Sequence, residues 1–147
     1  MARRFTLTAP TVPEDDLHAS VADLFRRILQ PTVAPWTCFP AGHLPMDARW
    51  AVKLHRMGLQ PGWPDFLILW NGHLHGIELK RAGAKLSKDR LVRSRKGSLR
   101  FVEGQATVFP RLIRAGMSIA TCESIDGVMN ALNTWGIPHR GVARVAA

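Results

Sequence analysis

The sequence predicts one α/β domain in which a small mixed sheet has helices on both faces. Segments with apolar residues three and four apart alternate with short apolar runs, a pattern typical of helices alternating with strands. The run at 66–69 is apolar at every position, so both faces of its strand must be covered. The chain has 147 residues, of which 46% are hydrophobic, enough for one core.

The central element is a predicted hairpin over residues 61–80. The Asn-Gly pair at 71–72 lies between two apolar runs and favours a type I′ turn, which needs positive φ at both central residues. A two-residue turn there places Asp65 directly opposite Glu78 on one face. Lys80 lies two residues beyond Glu78 and shares that face. Two carboxylates and one ammonium should therefore meet at the open end of the hairpin.

This arrangement suits a hard divalent cation. Magnesium prefers oxygen ligands and keeps several waters, which leaves room for a substrate phosphate. Asp65 and Glu78 offer two oxygens, the carbonyl of Leu79 offers a third, and Lys80 is within reach of a water or phosphate oxygen. The predicted cofactor is Mg²⁺, with Mn²⁺ as a substitute. The alternative is a solvated salt-bridge cluster at the end of a strand.

A strongly basic segment follows the hairpin. Residues 80–100 hold nine basic side chains against one acid, which is nearly the whole net charge of +9. Such a segment neutralises phosphates with sequence-independent, salt-sensitive affinity. We therefore expect DNA as the partner and a basic loop over 81–100 as its contact. The predicted contact residues are Lys85, Lys88, Arg90, Arg93, Arg95, Lys96 and Arg100. The alternative is a disordered loop that serves solubility.

The sequence also predicts the compartment. No apolar run approaches the ~20 residues of a membrane span, and the basic N-terminus lacks the apolar segment of a signal peptide. Cys38 and Cys122 lie in separate apolar stretches and are predicted to be small, reduced core residues without a disulfide or zinc. These features favour a cytoplasmic protein without membrane contact.

The first half of the chain should contain two helices and a short strand. An extended tail over 1–12 precedes a helix from about 13 to 30, which Pro31 ends. Its inward positions are Leu17, Val21, Leu24 and Ile28. A strand at 36–39 and a helix at 48–57 follow, the latter capped by Asp47 and Gly58. The basic strip of this second helix, Arg49, Lys53 and Arg56, faces either solvent or phosphate.

The second half should contain a helix, a strand and a last helix. The first of these runs from 103 or 105 to 115 and ends at Gly116, and Pro110 fits it only if the regular helix begins near Thr107 or kinks. A buried strand at 117–121 follows. Ser124 caps the last helix, which runs to about 134 with Val128, Met129 and Leu132 inward, and 136–147 reads as a tail.

The residues at 61–65 (Pro-Gly-x-Pro-Asp) and 78–80 (Glu-x-Lys), with Gln105 opening a helix, resemble the VRR-NUC branch of the PD-(D/E)XK nuclease superfamily. The resemblance covers about 14–134 and implies a restriction-endonuclease-like core. It also implies a role for Glu14 at the metal, although Thr11 and Glu14 equally form a capping box. The family has Gln where this chain has His18, so the half-buried His18 is predicted to be structural.

Four further residues keep two interpretations each. Gln105 either orients the attacking water and the phosphate or caps its helix. Trp63 either stacks on an exposed base or covers the open end of the sheet. His73 and His75 share the face opposite Asp65 and are more typical of edge or surface positions than of a metal pair.

The resemblance implies Mg²⁺-dependent hydrolysis of DNA phosphodiester bonds, selective for branched, flap or junction structures rather than sequence. The residues assigned to this reaction are Asp65, Glu78, Lys80, Gln105 and Glu14. Symmetric cutting of a junction favours a twofold homodimer. The alternatives are a non-catalytic or partner-dependent nucleic-acid-binding module and a nuclease of RNA or single strands.

Overall fold

The structure, a computed structural model, describes residues 13–39 and 48–141. Within them the elements are α1 (Glu14–Ile28), β1 (Trp36–Cys38), α2 (Ala48–Arg56), β2 (Phe66–Trp70), β3 (His73–Leu79), β4 (Arg90–Arg93), β5 (Leu99–Val102), α3 (Gln105–Arg114), β6 (Ser118–Cys122) and α4 (Ile125–Trp135). The predicted roles of Thr11 and Asp47 fall outside these residues, as do the extended start over 1–12 and residues 142–147 of the predicted tail. Within them, no helix is long and apolar enough to cross a membrane.

The main sheet has the order β1-β2-β3-β6. Its first two pairings are antiparallel, and β3 pairs with β6 in parallel, so the predicted small mixed sheet is confirmed. Asn71 and Gly72 have φ values of 50° and 75°, as a type I′ turn requires. The turn fixes the register with Phe66 opposite Ile77. One step further out, Asp65 lies opposite Glu78, as predicted.

The two faces of this sheet have different neighbours. On the face called here the core face, Phe66, Ile68 and Ile77 are fully buried against the apolar stripes of α1 and α4. The opposite face, called here the site face, carries Asp65 and Glu78, and α3 reaches it through its first residue. Helices therefore lie against both faces. On α1 the buried residue is Phe25 rather than the predicted Leu24, which is only half-buried.

The predicted basic loop is a hairpin over much of its length. β4 and β5 form a separate two-stranded antiparallel sheet with Leu91 opposite Phe101. Its turn is closed by a hydroxyl–hydroxyl hydrogen bond of 2.6 Å between Ser94 and Ser98. Three arginines interrupt the apolar alternation of the two strands, and that interruption hid the strand pattern in the sequence.

Two further predictions about burial are wrong. Cys38 is exposed because β1 is an edge strand and Cys38 is its last residue, whereas Cys122 is buried as predicted and both thiols are free. The start of the predicted tail packs on the domain, since Ile137 is buried and the Arg140 N–H donates to the Ile28 carbonyl at 2.8 Å.

The last two helices lie where the sequence predicts them. α3 begins at Gln105 and includes Pro110 in its interior, so it does not begin near Thr107. Because proline has no N–H, the carbonyl of Ala106 loses its usual helical partner there. Ser124 caps α4 by accepting a hydrogen bond from the Gly127 N–H at 3.1 Å.

Candidate active site

Asp65 is held in place by both its backbone and its side chain. Its carbonyl accepts a hydrogen bond of 2.7 Å from the Phe39 N–H, which extends the β1–β2 ladder by one residue. Its carboxylate oxygen Oδ2 accepts a hydrogen bond of 2.7 Å from the Leu79 N–H. Because the N–H and the carbonyl of one strand residue point to the same neighbouring strand, the Leu79 carbonyl is directed to the Asp65 side as well.

Glu78 is the buried carboxylate of the site, with 2% of its surface exposed. Its Oε1 accepts hydrogen bonds from the Lys80 ammonium at 2.8 Å and from the Gln105 amide at 2.6 Å. Its Oε2 is buried and has no hydrogen-bond partner among the described residues. Burial raises the pKa of Glu78, the Asp65 carboxylate raises it further, and the contacts with Lys80 and Gln105 oppose the rise.

Lys80 is fixed at both ends. Its N–H donates to the Cys122 carbonyl of the parallel strand β6 at 2.9 Å, and its ammonium contacts Glu78. Its side chain is 14% exposed, so the ammonium group is partly buried yet remains accessible from solvent. The predicted meeting of Asp65, Glu78 and Lys80 at one end of the hairpin is confirmed, and burial of Glu78 argues against a purely solvated salt-bridge cluster.

Gln105 links the site to the basic segment. Its amide nitrogen donates to Glu78, and its amide oxygen accepts a hydrogen bond from the Ser87 N–H at 3.3 Å. Ser87 in turn accepts hydrogen bonds from the Gln105 N–H at its hydroxyl and from the Ala106 N–H at its carbonyl, each 3.0 Å. Sequence reasoning missed Ser87, which satisfies two free N–H groups at the start of α3.

Gly104 allows this contact because no side chain fits there. A Cβ at Gly104 would lie 2.4 Å from the Ser87 carbonyl oxygen and from the Lys88 carbonyl carbon. Next to it, the Asp89 carboxylate accepts a hydrogen bond of 2.8 Å from the Gly104 N–H, which lowers the pKa of Asp89. The basic segment is therefore anchored to α3 immediately beside Glu78.

The Pro-Gly-x-Pro stretch at 61–64 also packs closely against neighbouring elements. Gly62 has a φ of 83°, and a Cβ there would lie 3.0 Å from the Val108 side chain of α3. Pro64 is buried against Gly76 of β3, where a Cβ would come within 2.6 Å of the proline ring. Both contacts hold the loop before Asp65 close to the sheet and to α3.

Glu14 opens α1 as a half-buried residue. Among the described residues, no group of three or more His, Cys, Asp or Glu side chains is arranged to hold a metal ion. Asp65 and Glu78 therefore stand as a carboxylate pair, and the role of Glu14 stays a prediction.

The histidines lie away from that pair. His18 stacks on Phe66 with ring centroids 4.3 Å apart, which agrees with a structural role. His75 is buried on the core face, 4.8 Å from the Trp135 ring, so the expected edge or surface position is wrong for it. The core face is covered by α4 at this point, and the residue type alone did not indicate that.

The donor set fits a hard cation. Carboxylate and carbonyl oxygens are the ligands that Mg²⁺ prefers. An unpaired buried carboxylate oxygen is costly, and a cation beside Glu78 Oε2 would satisfy it. The seven predicted contact cations of the basic segment are all exposed, on β4, on β5, in their turn and in the stretch before them.

No family model, no curated protein and no solved structure matches the chain. The resemblance to VRR-NUC nucleases therefore depends on the sequence motif alone.

Proposed function

We propose that this protein is a Mg²⁺-dependent endonuclease that hydrolyses DNA phosphodiester bonds. The observation that carries the proposal is the buried Glu78, which has one oxygen held by Lys80 and Gln105 and the other without a hydrogen-bond partner among the described residues. A buried carboxylate in this state is unfavourable on its own. Lys80 offsets only one of the two negative charges of Glu78 and Asp65, and a metal cation would offset the other and pair with Oε2.

Asp65 and Glu78, with the Leu79 carbonyl, would hold the cation. When bound, the cation supplies positive charge that stabilises the phosphate and activates water. The hydrogen bond from the Leu79 N–H to Asp65 orients one carboxylate, and the amide of Gln105 orients the other. Glu14 remains a candidate for a further ligand.

Lys80 is the residue that acts on the substrate side. Its ammonium is held at 2.8 Å from Glu78 while part of the side chain stays accessible. From there the ammonium positions the attacking water and offsets the charge that develops on the phosphate. Removal of the proton from that water would require the neutral amine of Lys80 as the acceptor. Gln105 keeps Glu78 in place and, through Ser87, joins the site to the basic segment.

The exposed cations of the basic segment bind the DNA backbone on either side of the cut. Their contribution is electrostatic, so it falls as salt is added. The resemblance supports selection of branched, flap or junction DNA, a restriction-endonuclease-like fold and a homodimer for symmetric cutting.

The test is an incubation of end-labelled duplex, flap, splayed-arm and four-way-junction DNA with Mg²⁺, Mn²⁺ or EDTA. Asp65→Ala and Lys80→Ala should abolish metal-dependent cutting while DNA binding persists. Asp126→Ala, which removes an exposed carboxylate from the first turn of α4, is the matched control and should cut normally. Binding without any cutting by the wild type would contradict the proposal in favour of a binding module, and preferential cutting of RNA would contradict the DNA assignment.

A further inference from the structure

Two aromatic residues are neighbours of Asp65, one in the sheet and one in the sequence. The Phe39 N–H bonds to the Asp65 carbonyl in continuation of the β1–β2 register, so Phe39 lies opposite Asp65 and belongs to the site face. The Phe39 ring is 5.8 Å from the ring of Trp63, with an angle of 33° between the planes. Trp63 comes two residues before Asp65 and is half-buried. An aromatic surface therefore adjoins the site on the side of β1.

These rings line an apolar pocket of about 340 Å³. Its other described lining residues come from the end of α2 and the stretch after it, and none of them is charged: Leu54, Met57, Gly58, Leu59 and Gln60. The volume lies within the range of about 300–1,000 Å³ that is usual for small-molecule pockets. The pocket therefore offers space for one flat, apolar group next to Asp65.

A larger basic groove adjoins this pocket. It has a volume of about 950 Å³, and Met57 lines both cavities. Four cations line it, three from α2 and one from the β4–β5 turn: Arg49, Lys53, Arg56 and Lys96. Val52 is its remaining described lining residue. The groove is complementary to a polyanion.

We propose that the groove and the pocket together bind a single-stranded stretch of the nucleic acid, with phosphates in the groove and an unstacked base on Trp63. This inference rests on the proposed function and names the part of the substrate that lies beside the cut. A duplex offers phosphates to the groove but keeps the faces of its bases stacked. A single strand offers both, and any base can stack on an aromatic ring.

The position of the pocket gives this binding a consequence for the reaction. Because Trp63 and Phe39 flank Asp65 in sequence and in the sheet, a base held there belongs to a nucleotide adjacent to the hydrolysed bond. The proposed substrate therefore has an unpaired nucleotide at the cut, as flaps and splayed arms have.

The experiment measures binding in EDTA, so that no cutting is needed. Fluorescein-labelled oligothymidylate, an abasic oligonucleotide of the same length and a matched duplex are titrated by fluorescence anisotropy at several salt concentrations. Trp63→Leu should raise the Kd for oligothymidylate at least about fivefold and leave the Kd for the abasic oligonucleotide unchanged. Trp63→Phe should restore most of the loss, because Phe also provides a face for stacking.

Removing cations should change a different quantity. The double variant Lys53→Ala and Arg56→Ala should flatten the slope of log Kd against log salt for both oligonucleotides. Each lost phosphate contact on a single strand changes this slope by about 0.7, so the loss of two contacts should change it by about 1.4. Arg114→Ala and Ile113→Ala, two exposed positions in the last turns of α3, are the matched controls and should change neither quantity. Thermal unfolding of every variant checks that the domain is intact.

Three binding results would overturn the inference. The first is a Trp63→Leu variant that binds oligothymidylate with wild-type affinity. The second is a Trp63→Leu variant that loses as much affinity for the duplex as for the single strand. The third is a wild type that binds a polyglutamate peptide more tightly than it binds the oligonucleotide. None of them depends on Asp65 or on metal. If the wild type binds single strands through Trp63 but never cuts, only the nuclease proposal is contradicted. If the Trp63→Leu variant cuts flap DNA at the wild-type rate, only this inference is contradicted.

Discussion

Magnesium should raise the melting temperature of this protein, and the two carboxylates should account for the increase. Glu78 is 2% exposed, its Oε2 has no hydrogen-bond partner among the described residues, and the Asp65 carboxylate lies beside it. A divalent cation relieves both the repulsion and the unpaired oxygen. A ligand that binds only the folded state stabilises that state.

The expected size follows from simple linkage. At a Mg²⁺ concentration about 100 times its Kd, binding adds about 2.7 kcal/mol to the free energy of unfolding. A domain of 147 residues unfolds with an entropy of about 0.3 kcal/mol/K, from about 2.1 cal/mol/K per residue. The melting temperature should therefore rise by about 9 °C between EDTA and saturating Mg²⁺, as measured by scanning calorimetry.

The variants separate metal binding from chemistry. Asp65→Asn keeps an oxygen for the Leu79 N–H, and Glu78→Gln keeps the shape of the side chain, so both should fold and lose most of the increase. Lys80→Met leaves both carboxylates in place, so it should keep the increase and lose DNA cutting. An undiminished increase in both carboxylate variants would refute the placement of the metal.

The stability in EDTA and the increase caused by Mg²⁺ should depend on pH with opposite signs. Because the pKa of Glu78 is raised in the folded state, its contribution to metal-free stability is greatest below the unfolded value of about 4.3 and is lost as the pH rises through the folded pKa. Mg²⁺ needs the deprotonated carboxylate, so the increase in melting temperature should grow over the same interval. Calorimetry at a series of pH values with Mg²⁺ and with EDTA measures both trends.

Three further predictions concern single residues. Gly104→Ala should lower the free energy of unfolding, measured by urea titration, by about 1–3 kcal/mol, because its Cβ would overlap the backbone packed against it. The control Gly141→Ala places its Cβ in open space and should leave that free energy unchanged. His75→Leu should raise that free energy by about 1–3 kcal/mol, since neither ring nitrogen has a hydrogen-bond partner in the described structure. The gain should increase as the pH falls below 6.5, because burial lowers the pKa of His75 and the wild type loses stability there. Gln105→Ala should shift the acidic limb of the cutting profile to higher pH, because the lost hydrogen bond no longer opposes the raised pKa of Glu78; an unshifted limb would show that the amide does not act on this carboxylate.

The sequence was sufficient for the centre of the site because that information is local. A two-residue turn and an alternation of period two fix which residues share a face, so the positions of Asp65, Glu78 and Lys80 follow from the Asn71–Gly72 turn alone. The burial of His75 was also accessible by this route. Its register places it on the same face as Ile68, which the apolar helices cover.

Contacts between distant segments were not accessible in this way. Ser87 meets Gln105 across 18 residues of sequence, and neither residue belongs to a repeating pattern that would pair them. The β4–β5 hairpin was hidden because its strands are short and carry arginines, so charge was more conspicuous than alternation. Cys38 was misjudged because apolar neighbours in sequence do not bury the last residue of an edge strand.

Two glycines allow segments that are distant in sequence to come into contact at the site. Gly62 lets the loop before Asp65 approach Val108 of α3, and Gly104 lets the basic segment cross the start of the same helix. Both close approaches bring α3 to the site face, where Gln105 can reach Glu78. The motif that carries the resemblance therefore has a packing requirement as well as a chemical one. The chemical residues alone would leave Glu78 without its amide partner, whereas the small residues around them bring that partner within 2.6 Å.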